Sequence, residues 1–314
     1  MACPGVLIPF ILPRTRIVGH LAILTVVLIW ATTYISTKIL LGSFTPMQIL
    51  LVRTILGFLA LFLCNPRKMV YKQKSDRLIL AGSGLCGIFL YYYLENTALV
   101  YSSASNVGVI VATAPFFTLL AVHSILKEEH LKAQYFVGFV LSMLGIALIS
   151  YSGHTELKLN PLGDFLAFLG IIVWAFYITL TRVIARRGYP TLLVTRTMFF
   201  YALFGMGVVN LLFGDFPDFT VVVKSPYLYH FLFLGLIASA LCFVFWNFGL
   251  KSIGAVKSSF YLYLSPAITI VFSVIILGEV ITPTSAIGTA LTLSGLLVSE
   301  FMRDRTKAPE IQQG

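Results

Sequence analysis

The chain has 314 residues and a net charge of +10, and it is 58% hydrophobic with only 11% charged residues. Soluble domains average about 25% charged residues, and a soluble protein of this composition would expose large apolar patches and aggregate. The composition therefore excludes an ordinary soluble protein. The cations lie mostly in short loops beside apolar runs, so the positive charge indicates membrane orientation and no nucleic-acid partner.

The first 17 residues predict a cytoplasmic or interfacial lead. The apolar run "GVLIPFILP" is short and is broken by Pro9 and Pro13. No cation precedes the run, and no small-residue cleavage site follows before the next apolar segment, so we do not expect a signal peptide.

Ten long apolar segments follow the lead, joined by short loops. A membrane-spanning helix needs about 20 mostly apolar residues, and segments near this length lie at 18–41, 46–64, 77–97, 101–125, 133–151, 161–184, 192–213, 230–250, 255–277 and 285–302. The sequence therefore predicts an all-α polytopic protein with ten transmembrane helices, embedded in the lipid bilayer.

Basic residues are distributed unequally between the two sides of these helices. Seventeen of the 22 Lys and Arg residues lie in the termini or in and beside the loops at 65–76, 126–132, 185–191 and 251–254, which all fall on one side. Because cytoplasmic loops are enriched in Lys and Arg, we expect a multi-pass protein of the cell (inner or plasma) membrane with both termini, including the tail 303–314, in the cytoplasm.

The two halves of the chain repeat each other. The stretch "LIWATTYISTKILL" at 28–41 is followed much later by "IVWAFYITLTRVI" at 172–184, so that Trp30 and Lys38 each precede an equivalent residue, Trp174 and Arg182, by 144 positions. A second set of pairs is 151 apart: Asn96 with Asn247, Pro115 with Pro266, and Glu128 with Glu279. The order and the spacing both indicate an internal duplication.

Each half contains five predicted helices, and this odd number sets the orientation of the second half. The second repeat must enter the membrane from the opposite face, which gives an inverted repeat of 18–151 and 161–302. Inverted repeats are frequent in secondary transporters, whose substrates bind near the midplane between the halves. Prolines at equivalent positions, Pro115 and Pro266, fit the discontinuous helices of such proteins.

The chain resembles the drug/metabolite transporter superfamily, and specifically its ten-helix EamA-type transporters. The resemblance spans about residues 18–302 and rests on the repeated Trp-Ala…Thr-Lys/Arg openings, on "ENTALVYSSASNVGVIVATAPFF" and "IGAVKSSFYLYLSPA", and on the Glu-bearing ends "LKEEHL" and "LGEVIT". It implies ten helices around a central cavity, with helices 1, 3, 4, 6, 8 and 9 near it. Members of the superfamily handle amino acids, metabolites, drugs, sugars and nucleotide sugars.

Lys38 is an unusual residue in an apolar helix. Trp30, Tyr34 and Lys38 are spaced by four and so share one helix face. A cation in a membrane helix faces a cavity or a partner, or else it extends to the membrane surface from a helix end. Both interpretations fit Lys38, and the same two fit Arg182.

Glu95 ends the apolar run "GIFLYYYLEN" in the outer half of span 3. A buried carboxylate there is suited to carry a proton or to pair with Lys38, whereas an exposed one would be an ordinary interfacial residue. The position equivalent to Glu95 is Trp246, so this feature occurs in one repeat alone.

The remaining candidates are polar and aromatic residues of the spans expected near the cavity. The full set of candidate substrate-binding residues is Trp30, Tyr34, Lys38, Glu95, Asn96, Asn106, Trp174, Tyr177, Trp246, Asn247, Lys257 and Tyr261. The candidates for structural or gating roles are Arg53, Pro115, Glu128, Arg196, Pro266 and Glu279.

The sequence thus predicts a secondary transporter that exports small organic metabolites, such as amino acids or drug-like compounds, by alternating access. The alternatives are a sugar-phosphate or nucleotide-sugar exchanger of the same superfamily and, from another class, a membrane-embedded enzyme. No phosphate-binding loop, HExxH motif or catalytic set is present, so we expect no enzyme activity, cofactor or metal. The expected partner is a small-molecule substrate, and proton coupling and facilitated diffusion both stay open.

Overall fold

A computed structural model describes residues 8–102, 107, 110–127, 131–152, 160–265, 268 and 283–301. Every regular element in these ranges is helical, and six of the helices are long and apolar enough to cross a membrane. Three shorter apolar helices accompany them. The prediction of an all-α polytopic membrane protein is confirmed.

Most of the helices follow the predicted segments closely, but the fourth begins at Ala114, 13 residues after the predicted start at 101. Their bounds are α1 Ile8–Leu41, α2 Pro46–Cys64, α3 Lys74–Tyr101, α4 Ala114–Leu126, α5 Ala133–Ser152, α6 Pro161–Arg186, α7 Thr191–Phe213, α8 Tyr227–Ile253, α9 Ala255–Phe260 and α10 Pro283–Phe301. Helix α1 begins ten residues before the predicted start, and Pro9 lies in its first turn, where a missing amide hydrogen costs no helical bond. A 3₁₀ turn, Tyr261–Tyr263, follows α9. Four candidate residues, Asn106, Glu128, Pro266 and Glu279, lie outside the described ranges.

Local sequence explains where the second and sixth helices begin. The Thr45 side chain accepts from the Gln48 backbone amide, and the Thr45 backbone amide donates to the Gln48 side-chain oxygen. Together these bonds form a capping box at the start of α2. At α6 the Asn160 side chain accepts from the amides of Leu162 and Gly163. Each cap satisfies amide hydrogens that a helix start leaves without a partner.

Equivalent helices of the two repeats run in opposite directions. Helix α1 runs from Gly19, which lies beside Ser252 at the end of α8, to a loop where the Ser43 hydroxyl meets the Tyr227 hydroxyl at the start of α8. Helix α6 starts at the other end of the bundle, where Gly163 lies beside Ser102 at the end of α3. The predicted inversion is therefore present in the structure.

The packing of the helices repeats in the same way. Helix α1 packs on α8 while its equivalent α6 packs on α3, and α2 packs on the first half of α8 while α7 packs on the first half of α3. Helix α5 packs extensively on its own equivalent, α10. In the core of the bundle, α3 therefore packs on helices of the second repeat and α8 on helices of the first.

Helices α3 and α8 each contain a π-helical segment at an equivalent place. The segments are Leu85–Leu90 and Phe233–Leu241, and the first overlaps the second when it is shifted by 151 positions. A π segment frequently lies at a functional site. Within the second segment, the Ala238 carbonyl accepts a hydrogen bond from Nε1 of Trp30 at 3.0 Å.

Small residues let α5 and α10 approach closely. A Cβ added to Gly138 would lie 2.6 Å from the Gly295 carbonyl oxygen, and one added to Gly295 would lie 2.5 Å from the Gly138 carbonyl oxygen. The Ser142 hydroxyl also donates to the Thr292 carbonyl at 3.4 Å. Such stripes of Gly, Ser and Thr are typical of membrane helix pairs, because attraction there depends on close backbone contact.

We therefore expect Gly138→Ala to destabilise the protein. The added methyl group forces α5 away from α10, and overpacking of this kind costs about 1–3 kcal/mol. Gly207→Ala is the matched control, because a Cβ at Gly207 meets nothing within 4 Å, and alanine favours a helix over glycine. The measurement is the thermal unfolding midpoint of each purified variant in detergent. Equal midpoints for the two variants would contradict the close α5–α10 contact.

Candidate functional site

Three tryptophans meet at the centre of the bundle. Trp30 of α1 lies 5.6 Å from Trp174 of α6 and 5.2 Å from Trp246 of α8, and Trp174 lies 5.6 Å from Trp246, all between ring centroids. Phe243 of α8 packs against two of these rings, 5.8 Å from Trp30 and 6.4 Å from Trp174. Because Trp30 and Trp174 are equivalent residues, this aromatic cluster lies where the two repeats meet.

A small cavity opens beside the aromatic cluster, with walls from α1, α3, the start of α4, α6 and the turn after α9. Its lining residues are Trp30, Thr33, Tyr34, Tyr91, Tyr92, Glu95, Val111, Ala114, Trp174, Leu262 and Ser265. The cavity measures about 40 Å³, which is room for a few waters at about 10–15 Å³ each. A larger ligand needs the surrounding helices to move apart.

Glu95 places one carboxylate in this aromatic cavity. The Tyr91 hydroxyl donates to its Oε1 at 2.8 Å and the Tyr34 hydroxyl donates to the same oxygen at 3.2 Å. The side chain is buried. Neither tyrosine bonds its other carboxylate oxygen, Oε2. No Lys or Arg is among the described residues that line the cavity. The site therefore holds acidic and aromatic groups together.

Lys38 does not pair with Glu95, so that predicted alternative is wrong. Its Nζ donates instead to the Leu99 carbonyl at 3.0 Å, and its side chain is exposed. Leu99 lies in the last turn of α3, one turn beyond Glu95, where carbonyls lack helical partners and a positive charge is favoured. Arg182 does the same in the other repeat, since its Nη1 donates to the Leu250 carbonyl at 3.2 Å.

These two contacts are equivalent, because Leu99 and Leu250 are 151 positions apart, as are the helices that they end. The repeated cation of the opening motif therefore holds the C-terminal turn of α3 or α8 in each half. This geometry gives Lys38 and Arg182 a structural contact outside the cavity.

Asn247 and its equivalent Asn96 differ in their surroundings. Asn247 accepts from the Tyr177 hydroxyl at 2.8 Å and donates to the Thr195 hydroxyl at 2.9 Å. Asn96 is equally buried, but its Nδ2 has no hydrogen-bond partner among the described residues. The Tyr177 ring also packs against Trp174 at a tilt, with 4.8 Å between the ring centroids. The hydrogen bond to Asn247 therefore holds a ring that contacts the aromatic cluster.

The candidates near the start of the ninth span lie away from the cavity. Lys257 is exposed, and the Tyr261 hydroxyl pairs with Nδ1 of His20 at 2.7 Å. The ninth segment contributes Leu262 and Ser265 instead. Neither residue carries a charge or an aromatic ring, so no sequence signal marked them.

Tyr91 and Tyr92 are the principal site residues that the sequence reasoning missed. Tyr91 precedes Glu95 by four positions, so it lies on the same helix face, and this spacing was an available signal. Trp174 lines the cavity too, and its buried indole N–H has no hydrogen-bond partner among the described residues.

The two repeat arginines have different environments. Arg196 of α7 donates through both terminal nitrogens to the carbonyls of Asn65 and Arg67, just after α2. Arg53 of α2 is 1% exposed, donates from Nε to the Ser239 hydroxyl at 3.0 Å, and lies 4.2 Å from the centre of the Tyr92 ring. Pro115 is buried in the first turn of α4.

Charged residues close the end of the bundle at which α3 starts and α6 ends, which we call the basic end. Asp76 in the first turn of α3 is fully buried, forms an ion pair with Arg187 and accepts from the Tyr189 hydroxyl. Nζ of Lys72 in turn donates to the Arg187 carbonyl. These residues join the two repeats at this end of the bundle.

Neutral groups occupy the equivalent place at the opposite end. The residue equivalent to Arg187 is Ser43, 144 positions earlier, and the residue equivalent to Asp76 is Tyr227, 151 positions later. Their hydroxyls meet at 2.8 Å in an exposed contact. Nearby, Thr45 donates to Asp215 at 2.6 Å and Gln48 donates to the same carboxylate at 2.8 Å. The two ends are therefore built alike but held by different chemistry.

The described residues contain no group of three His, Cys, Asp or Glu side chains that could hold a metal ion. The described cysteines Cys64, Cys86 and Cys242 are free thiols. The chemistry of the site therefore rests on its carboxylate, its hydroxyls and its aromatic rings.

The family match and the similar proteins all point to transporters. The EamA-like transporter family model matches residues 17–151 and again residues 161–301. An uncharacterized transporter of Archaeoglobus fulgidus is 26% identical over 89% of this chain and 96% of its own length. The uncharacterized transporter YyaM of Bacillus subtilis is 30% identical over 69% of this chain and 70% of its own length.

Two further similarities concern function and fold. A probable terminal-alkyne amino-acid exporter of Streptantibioticus cattleyicolor is 24% identical over 88% of this chain and 91% of its own length. A solved crystal structure shares the fold with a TM-score of 0.71 and 19% identity, over 91% of this chain and 96% of that one. With its double family match over most of its length, the chain is a multi-pass membrane protein that belongs to the EamA-like transporter family.

Proposed function

We propose that this protein is a secondary transporter that exports small organic compounds carrying an amino group, with amino acids as the leading class. The observation that carries the proposal is Glu95, a buried carboxylate in a central cavity otherwise lined by aromatic, aliphatic and small hydroxyl-bearing residues. The amino-acid exporter of Streptantibioticus cattleyicolor supports the same class. The protein acts in the cell membrane with both termini in the cytoplasm, as the distribution of Lys and Arg supports.

The lining of the cavity favours an ammonium group. The Glu95 carboxylate is a direct partner for a positive charge, and the faces of Trp and Tyr rings attract organic cations within about 6 Å. Trp30, Tyr34, Tyr91, Tyr92 and Trp174 supply such rings around Glu95. A low-dielectric surrounding strengthens each of these attractions.

The same lining argues against the sugar-phosphate alternative. Phosphate recognition in proteins relies on Arg and Lys, and the cations that the sequence offered for it point elsewhere: Lys38 and Arg182 bind carbonyls at helix ends, and Lys257 is exposed. Among the described residues no basic side chain lines the cavity.

Alternating access follows from the arrangement of the two ends around the cavity. The inverted repeats place equivalent contacts at each end, Arg187–Asp76 at the basic end and Ser43–Tyr227 at the other. Opening one set while the other stays closed exposes the cavity to one side at a time. The π segment of α3 directly precedes the lining residue Tyr91, and the π segment of α8 bonds the lining residue Trp30. The irregular hydrogen bonding of these segments makes α3 and α8 easier to bend there.

Glu95 also suggests how export is coupled. A carboxylate that binds either a proton or the amino group of a substrate exchanges one for the other, so that proton entry drives substrate exit. This account needs no chemical change in the substrate and no cofactor.

Transport by purified protein in liposomes tests the proposal. Vesicles are loaded with labelled amino acids, simple amines or sugar phosphates, and release is followed with and without an inward proton gradient. We expect release of amines and amino acids that is faster with the gradient. Release of sugar phosphates alone, or chemical alteration of a lipid substrate without transport, would overturn it.

A further inference from the structure

Arg53 is a buried cation that the proposed substrate site leaves unexplained. It lies seven residues into α2, a helix long and apolar enough to cross a membrane, and only 1% of its surface is exposed. Charged groups are expensive at such positions, and those that occur face a partner or a pathway for substrate. The residue therefore needs a partner that accounts for its charge.

The charge of Arg53 acts on Glu95 and on Tyr92, but no carboxylate among the described residues forms an ion pair with it. Its Nε donates to the Ser239 hydroxyl at 3.0 Å, and its guanidinium lies 4.2 Å from the centre of the Tyr92 ring. Its Nη2 is buried and has no hydrogen-bond partner among the described residues. Among the described residues, Asp76 forms its ion pair with Arg187, and Arg53 takes no part in it.

The equivalent arginine shows what a purely structural role provides. Arg196 uses both of its terminal nitrogens to bind the carbonyls of Asn65 and Arg67 at the basic end. Its position on α7 corresponds to that of Arg53 on α2, 143 residues earlier. Arg53 lacks these contacts, and its Nη2 is left without a hydrogen-bond acceptor at normal geometry among the described residues.

Arg53 lies directly behind the wall of the cavity. Tyr92, whose ring faces the guanidinium, is itself a lining residue, and it precedes Glu95 by three positions on the same face of α3. On the other side, Trp30 lines the cavity and bonds the carbonyl of Ala238, the neighbour of Ser239. One phenol ring thus separates the Nη2 donor from the space in which Glu95 lies.

We propose that Arg53 is a second subsite that binds the carboxylate of the substrate once Tyr92 turns aside. An arginine presents several N–H donors in a planar fork that matches a carboxylate. With Glu95 holding the amino group and Arg53 the acidic group, the site selects zwitterions over simple amines. This inference rests on the proposed function, because it assumes that the amino group binds at Glu95.

Matched pairs of compounds that differ by one carboxylate test the subsite. The probes are leucine and isoamylamine, methionine and 3-(methylthio)propylamine, and lysine and cadaverine, and the measurement is their dissociation constants for purified protein by calorimetry. We expect the wild type to bind the amino acid of at least one pair about tenfold to a hundredfold more tightly than its amine. Arg53→Gln is expected to remove this preference, with a smaller change in the affinity for the amine than in the affinity for the amino acid.

Two further variants keep the test specific. Arg53→Lys retains the charge without the fork, so it is expected to keep part of the preference and also to report on the site if Arg53→Gln does not fold. Arg196→Gln is the matched control, which is expected to change stability and to leave the preference as in the wild type.

The possible failures are distinguishable. An unchanged preference in Arg53→Gln, or an equal loss of affinity for both members of each pair, would overturn the subsite. If neither member of any pair binds the wild type, the proposed function itself fails.

Discussion

Replacing Glu95 by glutamine is expected to reduce export of amine-bearing substrates at least about tenfold while the protein still folds. Glutamine has nearly the same shape, and its carbonyl oxygen still accepts the hydrogen bonds that Tyr34 and Tyr91 now give to Oε1. The substitution removes the negative charge and replaces one acceptor oxygen by an NH2 group. A hydrogen bond to a charged group contributes about 1.5–3 kcal/mol, which is about tenfold or more in affinity.

The measurement is the rate of substrate release from liposomes, normalised to the amount of folded protein. Lys38→Met is the control. Lys38 is also a charged candidate residue of the sequence analysis, but its Nζ donates to the Leu99 carbonyl, away from the cavity. We expect this control to keep its transport rate and to lose a little stability, since a cation at a helix C-terminus contributes about 0.3–1 kcal/mol. Equal rates in Glu95→Gln and the wild type would contradict the role of Glu95.

The second large effect is expected at the basic end, from Arg187→Ala. Asp76 is fully buried, and Arg187 is the cation that pairs with it. Removal of one partner leaves an uncompensated buried charge, which costs about 3–5 kcal/mol. The thermal unfolding midpoint in detergent should therefore fall strongly, and the basic end should open more readily.

The double variant Asp76→Asn with Arg187→Ala separates the pair from other effects of the mutation. Because it removes both charges, it is expected to regain part of the stability that the single variant loses. Ser43→Ala changes the equivalent residue at the opposite end, where the contact is neutral and exposed, and it is expected to have little effect. A strong loss in Ser43→Ala with none in Arg187→Ala would reverse the assignment of the two ends.

The fold was largely predictable because the membrane restricts what the backbone can do. Buried amide and carbonyl groups find no water in the bilayer, so a long apolar segment has to be helical. The predicted bounds of α2, 46–64, match the structure at both ends because the Thr45 capping box and the polar stretch after Cys64 fix them. The repeat then gave the inversion, since five helices per half leave the second half reversed.

The partners within the site were harder to predict, because they depend on how each helix is rotated about its own axis. Lys38 and Glu95 both lie toward the same end of the bundle, which suggested an ion pair, yet Lys38 reaches one turn farther along α3 to Leu99. Arg53 and Arg196 are equivalent in sequence but differ in their contacts. Such differences arise from packing between helices far apart in the chain.

The three tryptophans allow the most direct test of the account, because the chain contains three in all and each lies in the aromatic cluster. Intrinsic tryptophan fluorescence of the purified protein therefore reports on the central site alone. In a titration with leucine, lysine and their amines, which do not fluoresce, we expect a saturable change in the wild type that is lost in Glu95→Gln. A compound that is transported without changing the fluorescence, or an unchanged titration in Glu95→Gln, would contradict substrate binding at Glu95.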